Sequence, residues 1–147
     1  MGKIDFLAYN KPIIEEFRAN NGVVGGDYEG KPLALITTKG AKSGKDRVSP
    51  VSYINDGDRV VIAATNAGLD YHPQWFNNLQ ANPVLTVEVL GERYEARATE
   101  LEGEERTRLW ADLVASNKLL GRYESKTTRR IPVLVLERTV TSERRTA

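Results

Sequence analysis

Cysteine is absent from this 147-residue chain, and histidine occurs once. The two gaps together exclude disulfides, thiol catalysis and the usual structural zinc sites. No metal is expected. A cysteine-free chain suits a reducing compartment, so the expected location is cytoplasmic. No apolar run approaches the roughly 18 residues of a membrane span, and the start MGKIDFLAYN holds too short an apolar segment for a signal peptide. Net charge is nearly absent too. With 21 basic and 20 acidic side chains the balance is +1, which makes the molecule as a whole a poor electrostatic match for nucleic acid. Aromatic residues, at 7%, are too few and too readily assigned to a core to form a single-strand stacking platform. Any anionic partner has to be met locally.

What is there begins with 40% hydrophobic residues, enough for one compact domain over residues 1–147 with a single core. Asn10 and Pro12 read as a helix entrance, with Ile13, Ile14 and Phe17 on one face and Asn20, Asn21 and Gly22 as the stop. Residues 1–24 thus form a flanking helix. Its Glu15 and Glu16 disfavour a membrane-surface role, although peripheral membrane contact stays open. Gly25, Gly26, Asp27 and Gly30 make a loose connector. Strands are expected over Leu33–Lys39, Val48–Asn55 and Arg59–Ala64 in meander order, with a tight Asp56-Gly57-Asp58 turn. Two more are expected over Val84–Val89 and Arg93–Glu100, joined at Gly91, and a last one over Ile131–Glu137. Pro73 opens a short helix that Asn82 and Pro83 close, and a third helix runs from about Glu104 to Ala115 behind a charged entrance at Glu100–Glu105. The stretch SNKLLGRYESKTTRR shows no clear period and reads as a long polar loop, and residues 138–147 as a frayed tail. Six strands without βαβ alternation predict a mainly β (α+β) fold, a six-stranded antiparallel closed or split barrel with short flanking helices.

The chain's chemistry concentrates between Thr37 and Pro50, TTKGAKSGKDRVSP, on the turn between the first two strands. Gly40 and Gly44 allow positive φ and close approach of the main chain to a ligand. Ser43 offers a hydroxyl beside consecutive N–H groups that can form a nest, and Lys42, Lys45 and Arg47 supply cations. The stretch lacks the Walker pattern and leads into a strand rather than a helix. Two readings follow: an anion site, or a solvated hairpin whose lysines protect a sheet edge. A second stretch, TNAGLDY at 65–71, carries Ala67 and Gly68, small enough for a flat ring to lie on the backbone or simply a turn. Trp75 follows it, as core or as the edge of a pocket. The lone His72 carries no metal or catalytic assignment, and Asp70 reads as easily as a loop cap as a catalytic partner.

Four runs, GAKSGKDRVSPV, AATNAG, PQWFNNLQANP and RRIPVLVLER, resemble in order and spacing the deazaflavin-dependent nitroreductase family of actinobacteria over about Phe17–Glu137. The combination of G-x-K-S-G-x-x-R, a following proline and the W-[YF]-x-N-L helix carries the resemblance. It implies a split β-barrel of the pyridoxamine-oxidase-like, FMN-binding type. It also implies use of reduced coenzyme F420, an 8-hydroxy-5-deazaflavin with a phosphodiester and an oligoglutamate tail. By the same resemblance Lys42, Ser43, Gly44, Lys45 and Arg47 hold the phosphate and tail, and Ser49, Pro50 and Val51 line the way to the ring. Ala64, Thr65, Asn66, Ala67 and Gly68 present backbone and small side chains to the ring, and Trp75, Phe76 and Asn78 lie on the helix that closes the pocket. Tyr123 matches one tyrosine of the late loop, whereas Asn117 and Leu120 stand where other members have further tyrosines. That departure argues against transferring nitroaromatic-prodrug activation.

The implied chemistry is hydride transfer to an electrophilic small molecule, a quinone, nitro compound or activated alkene. The protein then holds donor and acceptor in contact and excludes water. Thr65 or Tyr123 is expected to meet the charge that develops on the acceptor. The alternatives are an FMN-binding reductase and a non-catalytic F420 storage protein, and the expected assembly is a monomer or weak homodimer.

Overall fold

A computed structural model describes residues 6–25 and 32–139. The expected connector residues Gly26, Asp27 and Gly30, and the tail from Val140 on, lie outside the described residues. The elements are α1 (Phe6–Ala19), β1 (Leu33–Lys39), β2 (Asp46–Ser52), β3 (Ile54–Asp56), β4 (Arg59–Ala63), α2 (Gln74–Ala81), β5 (Val84–Val89), β6 (Glu92–Glu100), α3 (Gly103–Ser116), α4 (Leu119–Lys126) and β7 (Val133–Arg138).

All strand pairs are antiparallel, in the order β2-β1-β5-β6-β7-β4-β3. The first and last strands of that order, β2 and β3, are separated in the chain only by Tyr53. A flat sheet would put them at opposite edges. One residue spans only about 3.5 Å, so the sheet has to curl until its ends meet, and the result is a split barrel. The expected Val48–Asn55 strand is therefore two strands: β2 pairs with β1, and beyond Tyr53 the chain turns to pair with β4. Seven strands replace the expected six for this reason.

Alternation sorts the core. Ala34 and Ile36 of β1, Val60 and Ile62 of β4, and Leu134 and Leu136 of β7 point into the barrel with Trp75, Phe76 and Leu79. Their neighbours Val61, Val133 and Val135 face outward and are covered by Leu109 and Leu113 of α3. Leu33 and Leu35 are covered by Phe17 of α1. Three strands are thus buried on both faces, which is why they read as continuous apolar runs.

Two helices differ from expectation. Pro12 lies inside α1 rather than at its entrance, because the helix starts at Phe6 and the burial of its Ile13, Ile14 and Phe17 face against β1 outweighs the missing donor. The polar stretch after α3 contains α4, held by buried Leu120 and half-buried Tyr123 against the α3 side of the sheet. Two contacts on an eight-residue helix are too few to show a period.

Candidate functional site

The β1–β2 hairpin ends at the Lys39–Asp46 pair, and Gly40 to Lys45 make its tip. Two bonds shape it. The Gly40 N–H donates to the Lys45 carbonyl at 2.8 Å, and the Gly44 N–H to the Gly40 carbonyl at 2.9 Å, with Gly44 at φ +71°. Ser43 Oγ accepts from the Lys45 N–H at 3.1 Å. Among the described residues the N–H groups of Lys42 and Ser43 have no acceptor, and Lys42, Lys45 and Arg47 have no ion pair. The only carboxylate on the hairpin, Asp46, is taken by Lys39 at 3.1 Å. All of Lys42, Ser43, Gly44, Lys45 and Arg47 are exposed. Two uncompensated cations and two open backbone donors remain at the tip, with a third cation, Arg47, beside it on β2.

The tip is tied to α2 by Asn78, whose side chain is 0% exposed. Its Oδ1 accepts the Ala41 N–H at 2.9 Å and Gln74 Nε2 at 3.0 Å, and its Nδ2 donates to Thr38 Oγ1 at 3.0 Å. Protein partners thus use the amide oxygen twice and one of the two Nδ2–H donors. Trp75 and Phe76 are buried in the barrel core. On β2, Ser49 and Pro50 are half-buried opposite Ile36 and Leu35, while Val51 joins the core. Pro50 has no N–H to donate, which an end strand tolerates.

After β4 the chain enters a left-handed turn: Asn66, Ala67 and Gly68 have φ of +49°, +56° and +81°. For Asn66 and Ala67 this conformation costs on the order of 1 kcal/mol each. Thr65 is right-handed, and the αR–αL step into Asn66 is the backbone form of an anion nest. The turn backs onto α4. A Cβ on Gly68 would lie 3.0 Å from the Tyr123 carbonyl and from Lys126 Cβ, so glycine is required both by its φ and by the space. Tyr123 reaches the turn with its backbone, while its ring packs against the α3-side cluster.

Sequence reasoning did not single out the residue that holds this loop. The Arg129 guanidinium donates to the carbonyls of Ala64 at 3.0 Å, Thr65 at 2.8 Å and Leu69 at 3.2 Å, and its Nη1 lies 2.8 Å from His72 Nδ1. Thr127 Oγ1 donates to Asp70 Oδ1 at 2.8 Å, and Asn66 Nδ2 to the Tyr71 carbonyl at 2.9 Å. Asp70 thus ties this loop to the segment after α4. The His72 ring also stacks obliquely on Phe76 at 4.7 Å. Burial, and then the charge of Arg129, hold the His72 pKa below its ordinary value, with Glu100 opposing.

Loop and helix border an open groove of about 520 Å³. It is lined by Asn66, Asp70, Tyr71 and His72 of the loop, by Pro73, Gln74 and Asn77 at the start of α2, and by Arg129. Of the residues picked from sequence, only Asn66 is among these; Thr65, Ala67 and Gly68 adjoin it, and Tyr123 lies behind. Groove and hairpin tip share α2 as a common wall, since Gln74 and Asn77 face the groove while Asn78 grips Ala41. Among the described residues no group of three or more His, Asp or Glu side chains is placed to hold a metal ion.

A family model described as F420H(2)-dependent quinone reductase matches residues 11–138. The F420H(2)-dependent quinone reductase Rv1261c of Mycobacterium tuberculosis (strain H37Rv) is 34% identical over 126 residues, 83% of this chain and 85% of the relative. The solved structure of an F420-H2 dependent reductase (FDR-A) superposes with a TM-score of 0.67 at 37% identity, covering 72% of this chain and 94% of that one. A solved domain-swapped dimer superposes at 0.69 with 34% identity, covering 90% and 98%.

Proposed function

The chain belongs to the F420H(2)-dependent quinone reductase family, and from that premise we propose how its residues divide the work of reducing a quinone with F420H2. The observation that carries the reading is the hairpin tip. Lys42, Lys45 and Arg47 lack ion pairs among the described residues and stand beside two open N–H groups, which suits a phosphodiester with an anionic tail better than a protected sheet edge. Lys42, Ser43, Gly44, Lys45 and Arg47 take the phosphate and tail. Ala64, Thr65, Asn66, Ala67 and Gly68 present a stiff backbone surface to the ring. Ser49, Pro50 and Val51, with Trp75, Phe76 and Asn78, form the wall that keeps these two segments at a constant separation. Whole-chain residues 1–147 then act as one deazaflavin-binding domain.

The bound deazaflavin supplies a hydride in one two-electron step. The protein's part is positioning. The 66–68 turn, held open in a costly conformation by Arg129 and α4, provides a surface that does not relax when the ring arrives, and the groove wall excludes water from one side of it. Charge on the acceptor oxygen is met by a donor from the loop, the Thr65 hydroxyl, or from Tyr123 behind it. Thr65→Val and Tyr123→Phe test these two roles by turnover, and unchanged rates in both would remove them. The acceptor is a quinone; nitro compounds and activated alkenes share its electrophilic character. No helix among the described residues is long and apolar enough to cross a membrane. Our reading is a cytoplasmic protein that reaches a quinone dissolved in a bilayer by peripheral contact. A monomer or weak homodimer is our reading of assembly, and light scattering reads it directly.

The test is fluorescence titration with oxidised F420 and with flavin mononucleotide, then turnover of F420H2 with a soluble quinone. F420 binding and turnover are expected. Preference for flavin mononucleotide would overturn the cofactor assignment, and tight F420 binding without oxidation by any quinone would reassign the protein to storage.

A further inference from the structure

His72 lines the groove, yet one of its two ring nitrogens is already committed. A guanidinium carries only donors, so at 2.8 Å from Arg129 Nη1 the Nδ1 of His72 has to be the acceptor. That fixes the neutral ring with its proton on Nε2. Arg129 cannot turn away cheaply, because its remaining bonds hold the carbonyls of Ala64, Thr65 and Leu69. Phe76 stacks on the ring and limits its rotation. Nε2 has no protein partner among the described residues. The ring is half-buried in a residue that lines the groove, and its Nε2–H, locked in one tautomer and without a protein partner among the described residues, is a donor left for an acceptor on a ligand.

We propose that His72 is a hydrogen-bond donor, through Nε2–H, to a carbonyl oxygen on a planar conjugated ring bound in the groove, and that Arg129 is the positioning residue that sets its tautomer. The inference rests on the groove being the F420 and quinone site. The carbonyl belongs either to the deazaflavin or to the quinone. A neutral imidazole suits the task because it stabilises negative charge on oxygen without giving up its proton. The charged groups facing the ring are Arg129 from the segment before β7 and Glu100 at the end of β6; Asp70 is engaged by Thr127.

The chain's single histidine makes the test direct, since every imidazole signal belongs to His72. Long-range ¹H–¹⁵N correlation spectra of the free protein are expected to show the Nε2–H tautomer at neutral pH. R129Q is expected to mix in the Nδ1–H form and raise the ring's titration midpoint. A wild-type ring with its proton on Nδ1 overturns the proposal. Oxidised F420 and a soluble quinone are then added separately, with F420 binding read independently by fluorescence. A Nε2–H shift with F420, and weakened F420 binding in H72F, assign the carbonyl to the cofactor. A shift only with the quinone, and kcat/KM for quinone lowered about tenfold to hundredfold in H72F with partial recovery in H72Q, assign it to the acceptor. F420 bound by fluorescence with no response of Nε2 to either ligand overturns this proposal alone. Absence of F420 binding overturns the underlying reading as well.

Discussion

Replacing Asn78 by leucine, which keeps the side chain's branching and removes its polar atoms, separates the fold's stake in this residue from the site's. Asn78 and Thr38 are 0% and 1% exposed, so neither can turn to water when the other is lost. In N78L the Thr38 hydroxyl loses its partner in a buried setting, a cost of about 1–3 kcal/mol, and the hairpin loses a bond to Ala41 worth about 1 kcal/mol. Ala41 is an exposed residue, so its freed N–H can take water. The sum is about 2–4 kcal/mol, which for a chain of this length lowers the thermal midpoint by roughly 5–15 °C. The T38V/N78L double variant removes both polar partners, so its loss is expected to fall short of the sum of the single losses by about 1–2 kcal/mol. The assay is urea unfolding followed by tryptophan fluorescence, with F420 titration on the folded variants. F420 affinity should fall about tenfold in N78L and in the double variant alike, because both release the hairpin tip from α2. Strictly additive stability losses would refute the buried bond between Thr38 and Asn78. A stable double variant with parental affinity would refute the coupling between tip and groove.

Removing two exposed cations together, K42A/R47A, is expected to weaken F420 binding roughly tenfold to hundredfold at low salt, with the gap closing as ionic strength rises and the unfolding midpoint unmoved. A salt-independent loss, or none, would put the tail elsewhere. G68A meets both a φ of +81° and backbone 3.0 Å away, so a stability loss of about 1–3 kcal/mol is expected by calorimetry, and a neutral result would contradict the packing of α4 on the turn. The depressed His72 pKa gives a pH dependence of known sign. Folded imidazole binds fewer protons than unfolded imidazole as pH falls below the ordinary 6.5, so its contribution is complete above that value and is lost as pH falls through it toward the folded pKa. Urea midpoints at pH 7.5 and 5.5 should separate more in wild type than in H72F, and equal separations would remove the effect.

Much of the fold is legible because its signals are local. Val84–Val89 alternates, Leu90 and Gly91 take the positive φ of a two-residue turn at +43° and +85°, and the return strand alternates again. Gly57 and the helix stop at Asn21 and Gly22 are equally local. The division of Val48–Asn55 is not, because nothing at Tyr53 distinguishes a strand that continues from one that changes partners; closure of the sheet decides it. The site divides in the same way. The cations of the hairpin announce themselves by type and crowding, but Arg129 lies among ordinary polar residues and its acceptors are backbone carbonyls at positions 64, 65 and 69, which carry no side-chain signature. Discounting His72 followed from counting metal ligands. The ring's use depends instead on a neighbour 57 residues away.

The two residues that organise the site, Asn78 and Arg129, have nearly all their polar atoms engaged by protein. They set where the hairpin tip and the 64–72 loop stand without needing to touch what lies between. The surfaces facing the groove are less committed: Tyr71 is exposed at 51%, and the Asn77 side chain has no bond among the described residues. Substitutions at Tyr71 and Asn77 therefore reshape the groove without disturbing either clamp. Gln74 does both jobs, since it lines the groove and donates to Asn78 Oδ1. Of the three, it alone should shift acceptor preference and F420 affinity together. Parallel kcat/KM and binding measurements on Y71A, N77A and Q74A read that difference, and an effect of Q74A confined to acceptor preference would show that the clamp at Asn78 does not depend on it.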